Sequence, residues 1–514
     1  MNGRWIARWI VMIAAIGALG LAVGVAVTDG YHVGVFHDDA MYVILARSLA
    51  TGQGFRYLNL PGAPVASHFP PGYPAVLSLF WRVAPSFPAN VVAFKLFNAV
   101  CLAASAMLVA QLARERLDSR RWGACVGLMT AVSVPLLVLV TMVLSEPLFL
   151  VMLLAVLMLA ERLVAAPASA RDAVRAGLLV GATILVRSHG IVLLPAIALP
   201  LLLQRRWREM AALCGGAVTV LAPWQLWSAA HASVLPAPLA GNYGSYAGWW
   251  MRGFNELGPG MVWETLRRTV PEAASMLASL FSFVPGTTSH ALTLLALGAS
   301  LVVGALTLRS RAPVTVLFLA GYAALVLVWP FPPTRFVWGV WPLLLFVLAA
   351  AGRTVSSAAW TPLPAMRMAS AVALLWVAIG YASYEQRAVR GRWWASISRS
   401  ADARIAPAIA WTLANTTPDD LLASDDEGAV FLYSGRRAVP VASFTTAHYL
   451  RNRSAIVEAN EGLVPILSAY PLRAVLVGSR RTFDAAQYLA TRPVPLLALR
   501  DQFAGGAAFT VLTR

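Results

Sequence analysis

The strongest constraint on this chain is a series of apolar runs, most of them about as long as a bilayer is thick. A helix needs about 20 apolar residues to cross the hydrocarbon core, where every backbone group must be satisfied internally. Such runs fall at residues 6–28, 89–112, 122–143, 146–163, 174–187, 190–203, 209–229, 290–308, 313–330, 336–351 and 368–384. They predict a mostly α, polytopic membrane protein of about eleven transmembrane helices. The run at 6–28 is longer than the apolar core of a secretory signal, about 7–15 residues, and no small-x-small cleavage site follows, so it is expected to be retained as the first span. At 59% apolar and 12% charged residues over 514 positions, the chain is too oily for an ordinary soluble domain, and disorder, coiled coil and collagen are excluded. Cys101, Cys125 and Cys214 lie in apolar stretches without paired metal-site spacing and are expected to be small buried hydrophobes.

The net charge of +17 could suggest nucleic acid, but the 40 basic residues are spread along the chain and form no arm or stripe, so no nucleic-acid partner is expected. The charge reads as topology. Arginines crowd alternate connections, at Arg114–Arg121, Arg162–Arg175, Arg205–Arg208, Arg309–Arg311 and Arg353–Arg367, which places these in the cytoplasm. Residues 29–88, the turn before Glu146, the bend at Arg187–His189, residues 230–289, the turn at Pro330–Arg335 and the C-terminal part are then extracytoplasmic, in a cytoplasmic (inner) membrane. Past residue 388 the apolar runs shorten. Leu421–Ala423, Arg473–Val477, Pro495–Leu499 and Ala508–Leu512 read as short buried strands, and 403–415, 454–469 and 483–491 have helical spacing. The expected division is a transmembrane domain over 1–387 and a soluble extracytoplasmic α/β domain over 388–514.

Chemistry-bearing residues gather in the outer connections. His37-Asp38-Asp39-Ala40-Met41-Tyr42 opens a segment with Met41, Ile44, Leu45 and Leu49 at helical spacing, which predicts a helix lying on the membrane surface. One aspartate could cap that helix, but a helix has a single N-cap and adjacent carboxylates repel, so one should be committed to a proton, a cation or a substrate hydroxyl. Ser67-His68-Phe69-Pro70-Pro71-Gly72-Tyr73-Pro74 is a rigid loop that would hold His68 near the surface helix, or simply a structural turn. His37, Asp38, Asp39 and His68 could in principle hold a metal, although their spacing is irregular. The aromatics Tyr243, Tyr246, Trp249, Trp250, Phe254 and Trp263 read first as interfacial anchors.

An acidic pair followed by Tyr42, then Leu49-Ala50-x-Gly52-x-Gly54, then Pro70-Pro71-Gly72-Tyr73-Pro74, resembles the first outer loop of the C-type integral-membrane glycosyltransferases, on the branch of bacterial aminoarabinose transferases and protein mannosyltransferases. Leu144-Ser145-Glu146-Pro147-Leu148, Leu185-Val186-Arg187-Ser188-His189-Gly190, Pro223-Trp224, and Arg335-Phe336 with Trp341-Pro342 match further pieces in order. His68-Phe69 stands where the aminoarabinose branch has Glu-Lys, so that branch's substrate is not carried over.

The resemblance implies transfer of a hexose or pentose, by inversion, from a polyprenyl-phosphate donor to an envelope acceptor (lipid, glycan or protein) at the outer membrane surface. An oxygen nucleophile must lose a proton while an anionic phosphate leaves, which calls for a carboxylate base and cations. In the family alignment Asp38 takes the base role. Asp39 would orient it, bind a sugar hydroxyl or share a divalent cation, and no other cofactor is implied. Arg187 and Arg335, each at the outer end of a span, suit the lipid phosphate; the competing reading is snorkelling to headgroups. His68, Tyr73, Glu146 and His189 complete the expected substrate-binding set, with dipole compensation the alternative for Glu146 and a structural role for either histidine. All family-like motifs precede residue 350, so the C-terminal domain is expected to serve acceptor recognition or assembly. The rival readings are a transporter or flippase for a lipid-linked saccharide, which predicts paired halves around a midplane site, and a noncatalytic envelope assembly protein.

Overall fold

A computed structural model describes residues 3–512 apart from 168, 232–234, 285, 358–362, 443–444 and 452–453. Part of the connection between Arg353 and Arg367 thus lies outside the described residues. Every predicted apolar run folds as a helix. Six are long and apolar enough to cross a membrane alone, and the bent pair Arg120–Val132 and Val134–Val140 makes up to seven. The remaining runs form the shorter helices Ala170–Val186, Ser188–Leu203, Pro313–Val328 and Trp341–Ser356.

The bend of 48° in the third run is a built feature. Ser133 leaves helical geometry with Pro135 just beyond it, which frees the Val134 N–H within apolar surroundings. Glu385, from the last long helix Pro364–Arg390, accepts that N–H at 3.1 and 3.3 Å, and the Ser133 hydroxyl shares a 2.9 Å hydrogen bond with Tyr381. Helices Ala170–Val186 and Trp207–His231 meet backbone to backbone, because glycines remove the side chains between them. A Cβ on Gly177 would sit 2.1 Å from the Leu213 carbonyl oxygen, and one on Gly216 would sit 2.5 Å from that of Val174.

The connection 230–289, expected on the outer side, is richer than an interfacial loop. It contains the helices Tyr246–Leu257 and Gly260–Phe281. Tyr243 and Trp249 are buried inside the fold, the latter stacked on Phe331 with ring centroids 5.5 Å apart, so the anchor reading holds only for exposed members such as Trp263. Cys101 is buried as expected, whereas Cys125 and Cys214 lie exposed on apolar helices.

After the helix Ser396–Asn415 the chain builds one five-stranded sheet from β1 (Leu422–Ser424), β2 (Ala438–Pro440), β3 (Ala474–Val477), β4 (Leu497–Phe503) and β5 (Gly506–Val511). The order is β2-β1-β3-β5-β4, parallel among the first three strands and antiparallel at β3–β5 and β5–β4. The four predicted strands are present, their ends within two residues of the prediction except that β4 runs four residues further, to Phe503. β2 and the helix Glu427–Ser434 are additions, each too short for its period to show in the sequence.

Gly177→Ala should destabilise the protein by about 1–3 kcal/mol, as expected for overpacking against backbone that cannot yield. Gly298→Ala, where a Cβ would meet nothing within 4 Å, should leave stability unchanged or slightly raised. Thermal unfolding of the two variants in detergent checks the pair.

Candidate active site

Four chain segments far apart in sequence bring one cluster of charges together. Asp38 opens the helix Asp38–Ala50, most of which is buried within the fold, and Glu146 opens the apolar helix Glu146–Ala165. Arg187 lies at the break between Ala170–Val186 and the 3₁₀ turn Ser188–Val192, and Arg335 lies in the short helix Thr334–Trp338. Glu146, 1% exposed, receives hydrogen bonds from Nε and Nη2 of Arg335 and pairs with Arg187 Nη1 at 3.2 Å. Nη1 of Arg335 reaches Asp38 Oδ2 at 2.7 Å. Arg187 Nη1 also donates to the Ser145 hydroxyl at 3.2 Å, and that hydroxyl shares a 3.2 Å hydrogen bond with Tyr42. Tyr42 stands one helical turn from Asp38 on the same face. The guanidiniums rest on aromatic rings, Arg335 on Phe36 and Arg187 on Phe336, each with its central carbon 5.3 Å from the ring centroid. Burial alone would raise the Asp38 carboxyl, but Arg335, then His37, outweigh it and hold it below the usual carboxylate range.

This cluster borders a cavity of about 850 Å³. Of the residues expected from sequence, Asp38, His68, Arg187, His189 and Arg335 line it. Glu146 is not part of the lining; it sits beneath the two arginines and fixes where they point. The other two expectations need correction. Asp39, 1% exposed, turns away from the cavity, and its two oxygens accept the backbone N–H groups of Gly34, Val35 and Phe36 at 2.7–3.0 Å. Those bonds fold the loop that delivers Asp38 and commit both Asp39 oxygens to backbone N–H groups. Tyr73 is fully buried, donates to Asn98 at 3.3 Å and packs edge-on against Tyr42 with centroids 5.1 Å apart, so it supports Tyr42 and does not touch the cavity.

A shared metal fits poorly here. His68 directs Nδ1 at the Gly244 carbonyl oxygen, and His37 directs Nδ1 toward Glu427 Oε1, 3.5 Å away. Among the described residues no three His, Cys, Asp or Glu side chains converge as metal ligands. Cationic charge at Asp38 comes instead from Arg335.

Sequence reasoning missed a whole wall. Ser424 ends β1 and Asp425 follows it, Val441 and Ala442 follow β2, and Arg481 and Thr482 follow β3, so the carboxyl ends of the three parallel strands open onto the same cavity. Asp425 ties two of these ends together, accepting the N–H groups of Gly478 and Ser479 at 2.8 and 3.0 Å and the Thr482 hydroxyl at 2.5 Å. The only available signal was an acidic residue at the end of an apolar run, Ala423-Ser424-Asp425. Aromatic lining comes from Phe69, Tyr246, Trp329, Phe331 and Phe336.

Two outcomes follow for stability. Glu146→Gln strands two buried guanidiniums and should lower stability by about 3–5 kcal/mol, measured by thermal unfolding. His68, depressed by burial to about 4 against an opposing pull from the Gly244 carbonyl, is neutral at pH 7. Protonation therefore favours the unfolded chain, so its contribution is complete above about pH 6.5 and is lost as pH falls toward 4. The fall in melting temperature over that window should be smaller in His68→Asn than in the parent.

Residues 68–227 match the family model described as dolichyl-phosphate-mannose-protein mannosyltransferase. No curated protein sequence matches the chain. Among solved structures, ArnT from Cupriavidus metallidurans bound to undecaprenyl phosphate is similar, with a TM-score of 0.57 at 15% identity over 98% of each chain. The oligosaccharyltransferase AglB from Archaeoglobus fulgidus, in complex with an inhibitory peptide and a dolichol-phosphate, gives 0.53 at 12% identity over 93% of this chain and 70% of that one. With a mannosyltransferase-like segment at 68–227 and end-to-end likeness to ArnT, the chain has the fold of the C-type integral-membrane glycosyltransferases.

Proposed function

We propose that the protein is a membrane glycosyltransferase that moves a hexose or pentose from a polyprenyl-phosphate donor to a hydroxyl of an envelope acceptor, by inversion, at the outer face of the cytoplasmic membrane. The observation that carries this reading is Asp38 held at 2.7 Å by Arg335 at the wall of a cavity lined by aromatics and a second arginine. The solved relatives support it, since one is bound to undecaprenyl phosphate and the other to a dolichol-phosphate.

The chemistry follows from the residues. The donor phosphate takes hydrogen bonds from Arg187 and Arg335, whose planar forks suit an oxyanion. Engaging the phosphate draws Arg335 from Asp38 and restores the basicity that the guanidinium suppressed. Asp38 accepts the proton of the acceptor hydroxyl as its oxygen bonds to the anomeric carbon. The bond from that carbon to the phosphate oxygen breaks with its electron pair on the oxygen, so no general acid is needed. Glu146 keeps both arginines in place.

The arginine-rich connections support about eleven spans, with residues 29–88 and a soluble domain at 388–514 on the outer side. The transporter reading gains nothing from the fold, because the charge cluster gathers at the outer ends of predicted spans instead of around a pair of broken helices at mid-depth.

In purified protein, Asp38→Asn should lower transfer from polyprenyl-phosphate sugar by on the order of 10² to 10⁴. Folding should survive, since Asp38 caps no helix and Asn can still accept from Arg335. Near-normal turnover would remove Asp38 as the base. Loss of a sugar from envelope glycans in cells lacking the protein, with its lipid-linked form accumulating, identifies the donor by mass spectrometry. Asp419→Cys, at an exposed position in a cysteine-free background, should react with an impermeant reagent on intact cells or spheroplasts. Labelling only after the cytoplasm is opened would reverse the orientation.

A further inference from the structure

The loop that presents Asp38 is built against the C-terminal part of the chain at four successive points. The His32 backbone N–H donates to Asp402 at 3.0 Å, and the Val33 N–H donates to the Tyr433 hydroxyl at 3.1 Å. Gly34 lies so close to the helix Glu427–Ser434 that a Cβ there would sit 2.8 Å from that of Ala429. From the other side, a Cβ on Gly428 would sit 2.9 Å from that of Ala40 and 2.4 Å from Met41 Cε. The fourth point is His37.

His37 directly precedes Asp38 and holds φ at 64° and ψ at −52°, a positive-φ conformation uncommon outside glycine. The turn is closed by the Asp38 N–H donating to the Phe36 carbonyl oxygen at 2.7 Å, and the side chain that faces the His37 ring from the C-terminal part is Glu427. It is 2% exposed, its Oε1 is 3.5 Å from His37 Nδ1, and the same oxygen accepts the Tyr243 hydroxyl at 2.8 Å. Asn59 in turn donates to that hydroxyl at 3.0 Å, and the His37 ring meets Tyr243 edge-on with centroids 5.8 Å apart. Asp39 fixes the turn from within through its three backbone bonds, while Glu427 faces His37 at its outer end.

We infer that Glu427 is a positioning residue for Asp38, acting through His37, and that the C-terminal domain is thereby part of the transfer machinery. The inference rests on the transferase reading for its kinetic consequence but not for its structural one. It departs from the expectation that sequence alone supports, that everything needed for bond formation precedes residue 350.

The test uses the full-length protein in detergent. Glu427→Gln keeps the shape and an acceptor for Tyr243 but removes the charge facing His37. Hydrogen exchange read by mass spectrometry should quicken in peptides covering 34–41 and stay unchanged elsewhere. Transfer from a polyprenyl-phosphate sugar should show kcat lowered roughly 10- to 100-fold, the scale of a misplaced reacting group, with KM for the donor unchanged because Arg187, Arg335 and Glu146 are intact. His37→Gln should give a similar loss, and the double variant no more than either single one, since the two act as a unit. Should Glu427→Gln fold poorly, Tyr243→Phe removes one bond to the same carboxylate and should shift both readouts less in the same direction. Unchanged exchange at 34–41, or additive losses in the double variant, would overturn the inference. Quickened exchange in a protein whose parent transfers nothing would instead sink the transferase reading and leave the positioning role standing.

Discussion

Glu146 is the charge on which the rest of the site is arranged. A carboxylate with almost no exposure at the start of a membrane-type helix is tolerable only when it is paired and hydrogen-bonded, and here both oxygens are taken by guanidiniums. Arg187 arrives from a helix break and Arg335 from a short helix between spans, so Glu146 dictates how those connections close. Arg335 then carries the order to Asp38, and Arg187 carries it through Ser145 to Tyr42 on the same helix. Glu146 and Arg335 each hold two of the other charges, so these two tie the cluster into a single object.

Around that object the fold supplies walls of different character. The membrane-type helices and their connections give aromatic rings, and the parallel strands of the C-terminal sheet give their carboxyl ends with Ser424, Asp425 and Thr482. Such strand ends are natural places for a ligand, because the loops leaving them carry free backbone groups and short polar side chains. The cavity is thus a joint product of the two parts of the chain.

What the sequence makes legible follows from what is local. Span-length apolar runs announce themselves, and an arginine at the outer end of a span, such as Arg187 or Arg335, stands out because few neutral explanations exist for it. Asp38 stands out as one of an acidic pair, and its place as the base comes only from the family resemblance. The part played by Asp39 was not legible: adjacent residues on a helix start point in directions that depend on the preceding loop, and here that loop turns its own N–H groups onto Asp39. Tyr73 sat in the right loop, but its ring is claimed by Asn98 and Tyr42. Tyr243 and Trp249 read as interface anchors because aromatic composition at a membrane boundary is the same whether a ring meets lipid or a neighbouring helix. Glu427 and β2 belong to segments too short for periodicity to mark, so only tertiary contact reveals them.

Asp38 and Glu146 against Arg187 and Arg335 make two negative and two positive charges within a few ångströms. Such a quartet has no net charge, and what field it has decays quickly with distance. The anionic headgroups that crowd any membrane surface therefore feel little attraction toward it from afar. An anion gains hold only after it has come close enough to replace a carboxylate as a hydrogen-bond partner of the guanidiniums. On the transferase reading, discrimination among phosphates would then be set by shape at short range, and the abundance of ordinary acidic lipids would be no handicap to a scarce one that fits.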